Sequence, residues 1–592
     1  MKNELAKRIA ALSPEQQALL KLQLQKQGID LPKQSTIPPR QQANLLPLSF
    51  AQQRLWFLNQ LEPDNPFYNI SGASYLTGSL NLAVLRRSFD ALVQRHESLR
   101  TTFVTVNREP RQAIAPTLNY TLPVIDLQAV PTAQQQGWVQ QLATEEARRP
   151  FNLAQGPLLR LILLKLQPDK HVLFLTIHHT IADGWSRGIL LRELAICYQA
   201  LSTGQPIPLP QLAIQYGDFA VWQRQWLQGK ELQIQLSYWQ RQLADLPTLQ
   251  LPSDRPRLAA QSYQGANQSQ TLPRSLTKTL KATAQQEGIT LSTLLLTVFK
   301  IFLHRYTGQV DLVVGSPVAN RNRPEIEGLI GFFVNTLVLR SDLSGNPTSR
   351  ELLKRVHQVT LGAYSHQDLP FERLVEELQP ERDLGYNPLF QVVFHFQDAS
   401  FQLQNSAMPD LKLPDLQLRN SLNDLGAAPF DISLNIEEVG DDLDVGLEYT
   451  TDLFDSATIA SMLSHFQMLA TNMVADLDQP IDQLPLITSA ESQQLTTLWN
   501  QTQAAYGGAH CIHHLFDQQA TRTPDAIAIA STHQQITYRT LHQRAHQLAQ
   551  HLQQLGVLPE TLVGVYMERS IEMVVGLLAI LKAGGAYIPL DP

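Results

Sequence analysis

Between Leu48 and Pro480 the chain mixes strand patterns and helix patterns without long gaps, and this mixture limits the folds open to it. Helical periodicity covers Ser49–Gln60, Leu82–Arg95, Ser186–Gln199, Ser292–Tyr306 and Ala457–Leu477. Strand-like runs cover Leu159–Lys165, His171–His178, Asp311–Gly315, Val334–Arg340, Gln391–Phe396 and Leu443–Tyr449. Because the order is not a regular strand–helix repeat, the sequence predicts a mixed α/β (α+β) fold rather than a doubly wound sheet or a barrel. A region this long exceeds one hydrophobic core, so we expect two lobes.

Composition and charge exclude several classes of protein. The 592 residues are 43 % apolar, 17 % charged, and carry a net charge of −7. No long basic tract occurs, so no nucleic-acid partner is expected, since phosphate binding needs clustered Lys and Arg. No apolar run reaches the length of a membrane span, and charged residues interrupt the N-terminus where a signal peptide would be apolar. With two distant cysteines, Cys197 and Cys511, we expect a soluble cytoplasmic protein without disulfides.

Three polar stretches mark the edges of the compact regions. Residues 1–45 begin with a helix signal at Ser13–Gln16, whose leucines either dock on a partner or fold back on the next domain. Asp398–Ala427, rich in Gln, Asn, Pro and Asp, is predicted to be a long surface loop. A linker is expected at 481–510, and beyond it residues 511–592 start another α/β domain with helical and strand patterns at Tyr538–Leu555, Leu562–Tyr566, Ser570–Ala583 and Ala586–Pro589.

The residue pattern that points to chemistry is His178-His179-Thr180-Ile181-Ala182-Asp183-Gly184. It follows the apolar run Val172–Ile177 and precedes a helix, so it lies on a strand-to-helix turn. Strand alternation sends the two histidines to opposite faces, so only one of them enters a given site. The same divergence argues against a metal site. A histidine held beside an Asp and a helix N-terminus suits general acid–base work near neutral pH.

This motif, with Trp185 and Ser186, resembles the signature of condensation domains of nonribosomal peptide synthetases. Other segments of the same family follow in the family's order: Ser49–Phe57, Arg95–Phe103, Tyr216–Trp222, Gly331–Thr336, His366–Glu372 and Arg382–Leu389. The resemblance covers about Leu46–Pro480. It implies two chloramphenicol-acetyltransferase-like lobes in a V-shaped pseudodimer, with the first lobe at 46–225, the second at 226–480, and a tunnel between them.

The resemblance also suggests a subtype. Epimerising relatives carry Asp-x-x-Ser-Trp, whereas this chain has Asp183-Gly184-Trp185-Ser186, and the aspartate pair of heterocyclising relatives is absent. The additional histidine motif of the dual epimerising class is not found either. The pattern is therefore most similar to domains that join an L-configured donor to an L-configured acceptor.

By this resemblance His179 handles a proton or hydrogen-bonds the attacking nitrogen, with His178, Asp183 and Gly184 completing the catalytic motif. Asp183 is expected to hold the turn through an internal salt bridge, and Gly184 to turn the backbone tightly and offer an N–H to an oxyanion. Trp185 and Ser186 either contact substrate or serve as packing and helix N-cap, and Asn335 is a further candidate for the tunnel wall. The candidate salt-bridge partners of Asp183 are Arg95, Arg100 and Arg340.

The C-terminal segment resembles the opening of an amino-acid adenylation domain. The matching residues are Cys511–Phe516, Ile536–Leu541 and Leu581–Pro589. This match makes the nearby His510, Cys511, His513 and His514 a coincidence of sequence rather than a metal site, so no metal is expected. The sequence ends before the family's phosphate loop, so the resemblance implies no amino-acid activation by this chain alone.

No phosphopantetheine attachment motif occurs in the sequence. The resemblance therefore implies that this chain binds no cofactor of its own. Both substrates would arrive on the 4'-phosphopantetheine arms of separate carrier proteins, an upstream donor and a downstream acceptor, alongside other synthetase modules. The helix near Ser13–Gly28 is then a candidate docking element for the upstream carrier.

Two other functions remain open at this point. A condensation-like module without catalysis, recruiting partner proteins, is the first, although His179 is present where such a module usually loses it. A free-standing acyltransferase acting on small alcohols or coenzyme A thioesters is the second. The adenylation-like segment immediately downstream favours a place in an assembly line over this last function.

Overall fold

The computed structural model describes residues 36–40, 45–257, 264–379, 387–398, 416–421, 428–504, 511–531 and 534–592, with backbone alone for 416–421. The predicted helix near Ser13–Gly28 lies outside these residues, as do His510 and most of the Arg382–Leu389 segment. The chain forms two compact units, Met1–Ser489 and Ala490–Pro592. Both mix helices and strands, which confirms the predicted fold class.

The strands of the first unit are β1 Leu45–Pro47, β2 Asn69–Gly78, β3 Thr101–Val106, β4 Glu109–Ile114, β5 Val124–Asp126, β6 Leu159–Gln167, β7 Lys170–His178, β8 Gly265–Thr271, β9 Asp311–Val318, β10 Asn335–Asp342, β11 Val392–Gln397, β12 Leu416–Ser421, β13 Ile432–Val439 and β14 Asp442–Thr450. The six strands that the sequence predicts in this unit are confirmed within two or three residues as β6, β7, β9, β10, β11 and β14, and the described residues contain further strands that were not predicted.

The helices of this unit are α1 Phe50–Leu61, α2 Leu82–Arg95, α3 Thr132–Arg148, α4 Gly184–Ser202, α5 Tyr216–Trp226, α6 Gly229–Gln242, α7 Arg274–Gln286, α8 Leu291–Thr307, α9 Pro324–Glu327, α10 Ser349–Ser365, α11 Phe371–Leu378 and α12 Ser456–Ala475. Within the described residues no single helix is long and apolar enough to cross a membrane. Helices α7 and α8 are long and apolar enough only when they are taken together, and the pair is bent by 108° at the break between them.

The first sheet carries the histidine motif at the end of its central strand. Its order is β12-β2-β7-β6-β5, antiparallel except for the β5–β6 pair. Strand β7 is apolar on both faces because both are covered. Leu173, Leu175 and Ile177 join the core that includes α2 and α4, whereas Val172 and Phe174 pack with residues of α3.

The prediction of a long loop over Asp398–Ala427 is wrong in part, because residues 416–421 form the edge strand β12. It pairs antiparallel with β2, from Leu416 opposite Gly78 to Ser421 opposite Ala73. The polar composition favoured a loop, but an edge strand is selected by an open backbone edge rather than by side-chain pattern. The segment therefore crosses from the second sheet to extend the first.

The second sheet is mixed and has the order β10-β9-β11-β13-β14-β8. Its apolar side packs on α8 and α12, and this core runs from Leu227 to Leu484. A core over Leu48–Ile330 covers the first sheet. The presence of two large cores agrees with two lobes, whose predicted bounds of 46–225 and 226–480 remain a prediction.

The second unit contains two short β pairs and three longer helices. Its elements are α13 Ser489–Gln493, which begins at the boundary, α14 Ile512–Arg522, β15 Ile527–Ala530, β16 Gln535–Thr537, α15 Tyr538–Gln554, β17 Leu562–Tyr566, α16 Ile571–Ala583 and β18 Ala586–Leu590. Strands β17 and β18 are parallel, with α16 connecting them. This βαβ unit matches the predicted α/β character of 511–592.

A lysine is buried inside the second core. Lys300 on α8 is fully enclosed, and its Nζ donates to the carbonyl oxygen of Leu339 at 2.7 Å. Burial lowers the pKa of Lys300 to about 7, partly opposed by the charge of Asp311. The folded state thus holds this proton less tightly than the unfolded chain does.

We predict that the free energy of unfolding rises with pH between about 7 and 10, by up to about 1.4 kcal/mol per pH unit, because in this window the unfolded chain binds the extra proton. Lys300→Met should remove this part of the slope. Urea unfolding at pH 7, 8 and 9 measures it, with the exposed Lys230→Met as control. Equal slopes in wild type and Lys300→Met would contradict the prediction.

Candidate active site

The two adjacent histidines lie in different environments. His178, the last residue of β7, is buried against Phe151, and its Nδ1 bonds the Thr180 hydroxyl at 2.8 Å and accepts the Thr180 backbone N–H at 3.2 Å. Burial, with the charges of His179 and Arg160, lowers the pKa of His178 to about 3. His178 is therefore a neutral residue that braces the turn, and the catalytic role expected for it stays a prediction.

His179 follows β7 and packs against the segment after β9. Its backbone N–H donates to the Tyr68 carbonyl at 2.8 Å, and its ring lies 4.6 Å from the Phe332 ring, centroid to centroid. Its Nδ1 is enclosed and has no hydrogen-bond partner among the described residues. Burial lowers the pKa of His179, although the charge of Asp183 acts in the opposite direction. The imidazole is thus neutral at pH 7 and able to accept a proton.

Asp183 forms the predicted internal salt bridge, but with Arg321. Arg321 Nη2 lies 3.1 Å from Oδ1 and 3.3 Å from Oδ2 of Asp183, and both side chains are almost completely buried. The same carboxylate caps α4 by accepting the Ser186 N–H at 2.8 Å and hydroxyl at 2.7 Å, and it accepts the Phe333 N–H at 3.0 Å. All its bonding capacity is therefore used inside the protein.

The prediction that Asp183 pairs with Arg95, Arg100 or Arg340 is wrong, because each of these arginines has another partner. Arg95 binds Glu193 at 3.0 Å, and Arg340 binds Asp311 at 2.7 Å. Arg100 donates to the Ala115 carbonyl and lies 3.8 Å from Glu97. Sequence reasoning missed Arg321. The available signal was the polar run Asn320-Arg321-Asn322-Arg323 directly after the apolar strand β9.

The ion pair holds Phe332 against His179. Ser186 Oγ accepts the Gly331 N–H at 3.0 Å and lies 2.9 Å from the Gly331 carbonyl oxygen. The Tyr216 hydroxyl donates to the Phe332 carbonyl at 2.7 Å, and a Cβ on Gly331 would overlap the Tyr216 ring. The start of α4 and residues 331–333 thus form one rigid assembly beside the histidine.

The expected roles of the neighbouring motif residues are partly corrected. Ser186 is buried and is not the N-cap, since Asp183 caps α4. Trp185 Nε1 donates to the Glu327 carbonyl at 3.1 Å. Gly184 has an ordinary backbone conformation, so no tight turn requires it. A Cβ there would meet no atom within 4 Å, which leaves open space at the exposed start of α4.

Asn335 holds backbone rather than a ligand. Its Nδ2 donates to the carbonyls of Gln367 and Leu369, both at 2.8 Å. Its Oδ1 accepts the N–H groups of Thr336 and Phe371, both at 2.9 Å. These four bonds use the whole capacity of an amide, so the predicted substrate contact is not supported.

Other motif segments also serve the scaffold. Glu193 binds both Arg95 and His96, and Arg40 joins Glu97 to Asp218. Glu372 on α11 lies 3.4 Å from Arg54 on α1. These pairs tie distant parts of the chain together, as the mixture of charge and buried aromatic residues in these segments indicated.

One group of side chains has the composition of a metal site. The ligand atoms of Cys511, His513 and His514 lie within 4.8 Å of one another at the start of α14. The partial positive charge of a helix N-terminus disfavours a cation there. The expectation of no bound metal therefore stays a prediction.

Removing either member of the buried ion pair should destabilise the first unit. Asp183→Ala or Arg321→Met strands a buried charge, which costs on the order of 3–5 kcal/mol. His179→Ala should lower the free energy of unfolding less, because it leaves the Asp183–Arg321 ion pair intact. Denaturant unfolding compares the three variants, and equal midpoints for wild type and Asp183→Ala would contradict the assignment.

Comparison with known families decides what this site belongs to. The family described as Condensation domain matches residues 42–496. The chain belongs to the condensation-domain family. The family described as AMP-binding enzyme matches residues 516–592. Both resemblances read from the sequence are thereby confirmed, the second over a partial adenylation segment.

Condensation-domain relatives include large synthetases. One of the linear gramicidin synthase subunits of Brevibacillus parabrevis is 47 % identical over 548 residues, which are 92 % of this chain and 7 % of that protein. The chain therefore spans a small part of this relative.

Solved structures share the fold. A four-domain nonribosomal peptide synthetase, holo-AB3403 bound to AMP and glycine, has a TM-score of 0.82 at 24 % identity, over 95 % of this chain and 42 % of that one. The X-domain from teicoplanin biosynthesis, solved in complex with OxyB, has a TM-score of 0.68 at 26 % identity, over 77 % of this chain and 99 % of that one.

Proposed function

We propose that this chain forms an amide bond between two carrier-bound substrates. The nitrogen of the acceptor amine attacks the carbonyl carbon of the donor thioester. A C–N bond forms, the C–S bond breaks, and the proton lost by the amine ends on the released thiol. The proposal rests on the position of His179, whose neutral imidazole packs against Phe332 in a chain of the condensation-domain family.

Each element of the site has a physical task in this reaction. The imidazole accepts or hydrogen-bonds the amine proton during attack. The N-terminus of α4 favours the negative charge that develops on the carbonyl oxygen. Tethering both substrates on carriers raises their effective concentration, so positioning supplies a large share of the rate.

The substrates that this proposal implies follow from the relatives. These are large synthetases, so a donor carrier and an acceptor carrier would each present an aminoacyl or peptidyl group on 4'-phosphopantetheine. The absence of epimerising and heterocyclising patterns around Asp183 supports an L-configured donor and acceptor.

The central test is a reconstitution with separate donor and acceptor carriers, each loaded with an L-aminoacyl group. Intact-protein mass spectrometry follows dipeptide on the acceptor. We expect dipeptide with wild type and a loss of at least about 100-fold in rate with His179→Ala, the usual range for removing a general acid–base group.

The matched control is His178→Ala, the neighbouring histidine with a structural role. It should lose stability more than His179→Ala does and retain more condensation at a temperature where it is folded. If folded His179→Ala condenses as fast as wild type, the proposed role of His179 is wrong.

The open space at Gly184 provides an independent test. Gly184→Ala adds one methyl group at the first turn of α4, where Ala is favoured over Gly by up to about 1 kcal/mol. The protein should therefore fold at least as stably as wild type. If substrates occupy this space, the condensation rate falls by about tenfold or more, whereas an unchanged rate would place the substrates elsewhere.

A second candidate is a module that recruits a partner protein without catalysis. It is favoured by the likeness to the teicoplanin X-domain, which was solved in complex with OxyB. Absence of dipeptide with several L-loaded pairs, together with measurable carrier binding, would support this candidate over the first.

A further inference from the structure

Arg187, one turn into helix α4, has a partly buried guanidinium without a protein partner. The guanidinium is half-buried, it makes no hydrogen bond or ion pair with any residue in the described part of the chain, and its nitrogens keep some access to solvent. Burial lowers the pKa of Arg187, and no carboxylate opposes that effect. Arg321, by contrast, has Asp183 and two carbonyls.

The first sheet leaves room for this guanidinium. A Cβ at Gly72, in the middle of β2, would lie 2.5 Å from Arg187 Nη2 and 2.7 Å from its Cζ. Gly72 is paired with Leu175 of β7, and strand alternation puts His179 on the same face as Leu175. The glycine weakens the strand interior, and the space it leaves is taken by the charged group.

Arg187 is also a helical neighbour of Gly184, where a Cβ would meet no atom within 4 Å. Gly184 and Arg187 are three residues apart and so are neighbours on one face of α4. The unpaired guanidinium and the positive end of the helix dipole both favour an anion in that space. An unpartnered buried charge is unfavourable, so its complement is expected to come with a ligand.

We propose that Arg187 is a specificity residue that binds a carboxylate on the side chain of one of the two aminoacyl substrates. This rests on the proposed function. A glutamyl or aspartyl group would place its carboxylate oxygens on the guanidinium, in the bidentate geometry that Arg forms with carboxylates, while its reacting carbon lies towards His179.

The test uses equilibrium binding, so it does not depend on turnover. Pantetheine amides of glutamate and glutamine, which differ in charge and hardly in shape, are titrated by calorimetry into the full chain. We expect the glutamyl amide to bind about tenfold more tightly than the glutaminyl amide, and Arg187→Gln to abolish this difference. Gly72→Ala, which displaces the guanidinium but keeps its charge, should reduce it.

The control is Arg192→Gln, which removes a charge from another face of the same helix. It should preserve the preference for glutamate. Arg187→Gln should not lower the free energy of unfolding, since the charge it removes has no partner. Equal affinity of wild type for the two amides, or a preference that survives in Arg187→Gln, overturns the proposal.

Carrier assays then identify which substrate carries the carboxylate. Glutamyl and glutaminyl groups are loaded on the donor carrier in one arm and on the acceptor carrier in the other, with alanyl on the opposite carrier. A carboxylate preference in one arm assigns the side. Alanyl–alanyl condensation tests the proposed function separately, because it needs no contact with Arg187.

Discussion

The buried pair of Asp183 and Arg321 is the interaction on which the site depends. It joins the end of the first sheet and the start of α4 to the segment after β9, which belongs to a different part of the chain. Through Ser186, Gly331 and Phe333 it also places Phe332 beside His179. Removing two charges from water is costly, and here hydrogen bonds from Ser186 and from the Phe333 N–H to the same carboxylate offset part of that cost.

Two buried cations and one half-buried cation differ in how the protein compensates their charge. Arg321 is neutralised by Asp183, and its two terminal nitrogens also bond backbone carbonyls and Ser186. Lys300 has a single carbonyl, and its proton is correspondingly weakly held. Arg187 has no partner among the described residues and lies at the start of the helix that the histidine motif opens. Arg321 is therefore structural, Lys300 makes the stability depend on pH, and Arg187 is suited to binding a ligand.

Several features of the fold were predictable because they are local. The apolar run of β7, the turn and the helix after it are set by side-chain periodicity, and the divergence of His178 and His179 follows from strand alternation. The need of Asp183 for a cation was likewise predictable, since a carboxylate in an apolar turn must be paired. The arginine that supplies it was not, because Arg321 is 138 residues away and its choice depends on tertiary packing.

Other residues changed role once their surroundings were known. Asn335 looked like a wall residue but is saturated by four backbone bonds, and residues 416–421 looked like a loop but pair with β2. The sequence by itself determined the class of fold, the family and the turn that carries His179, because these follow from periodicity and contiguous motifs. Only the tertiary structure decided which charges are paired and which are left for a ligand. The pairing depends on contacts between residues that are far apart in the sequence.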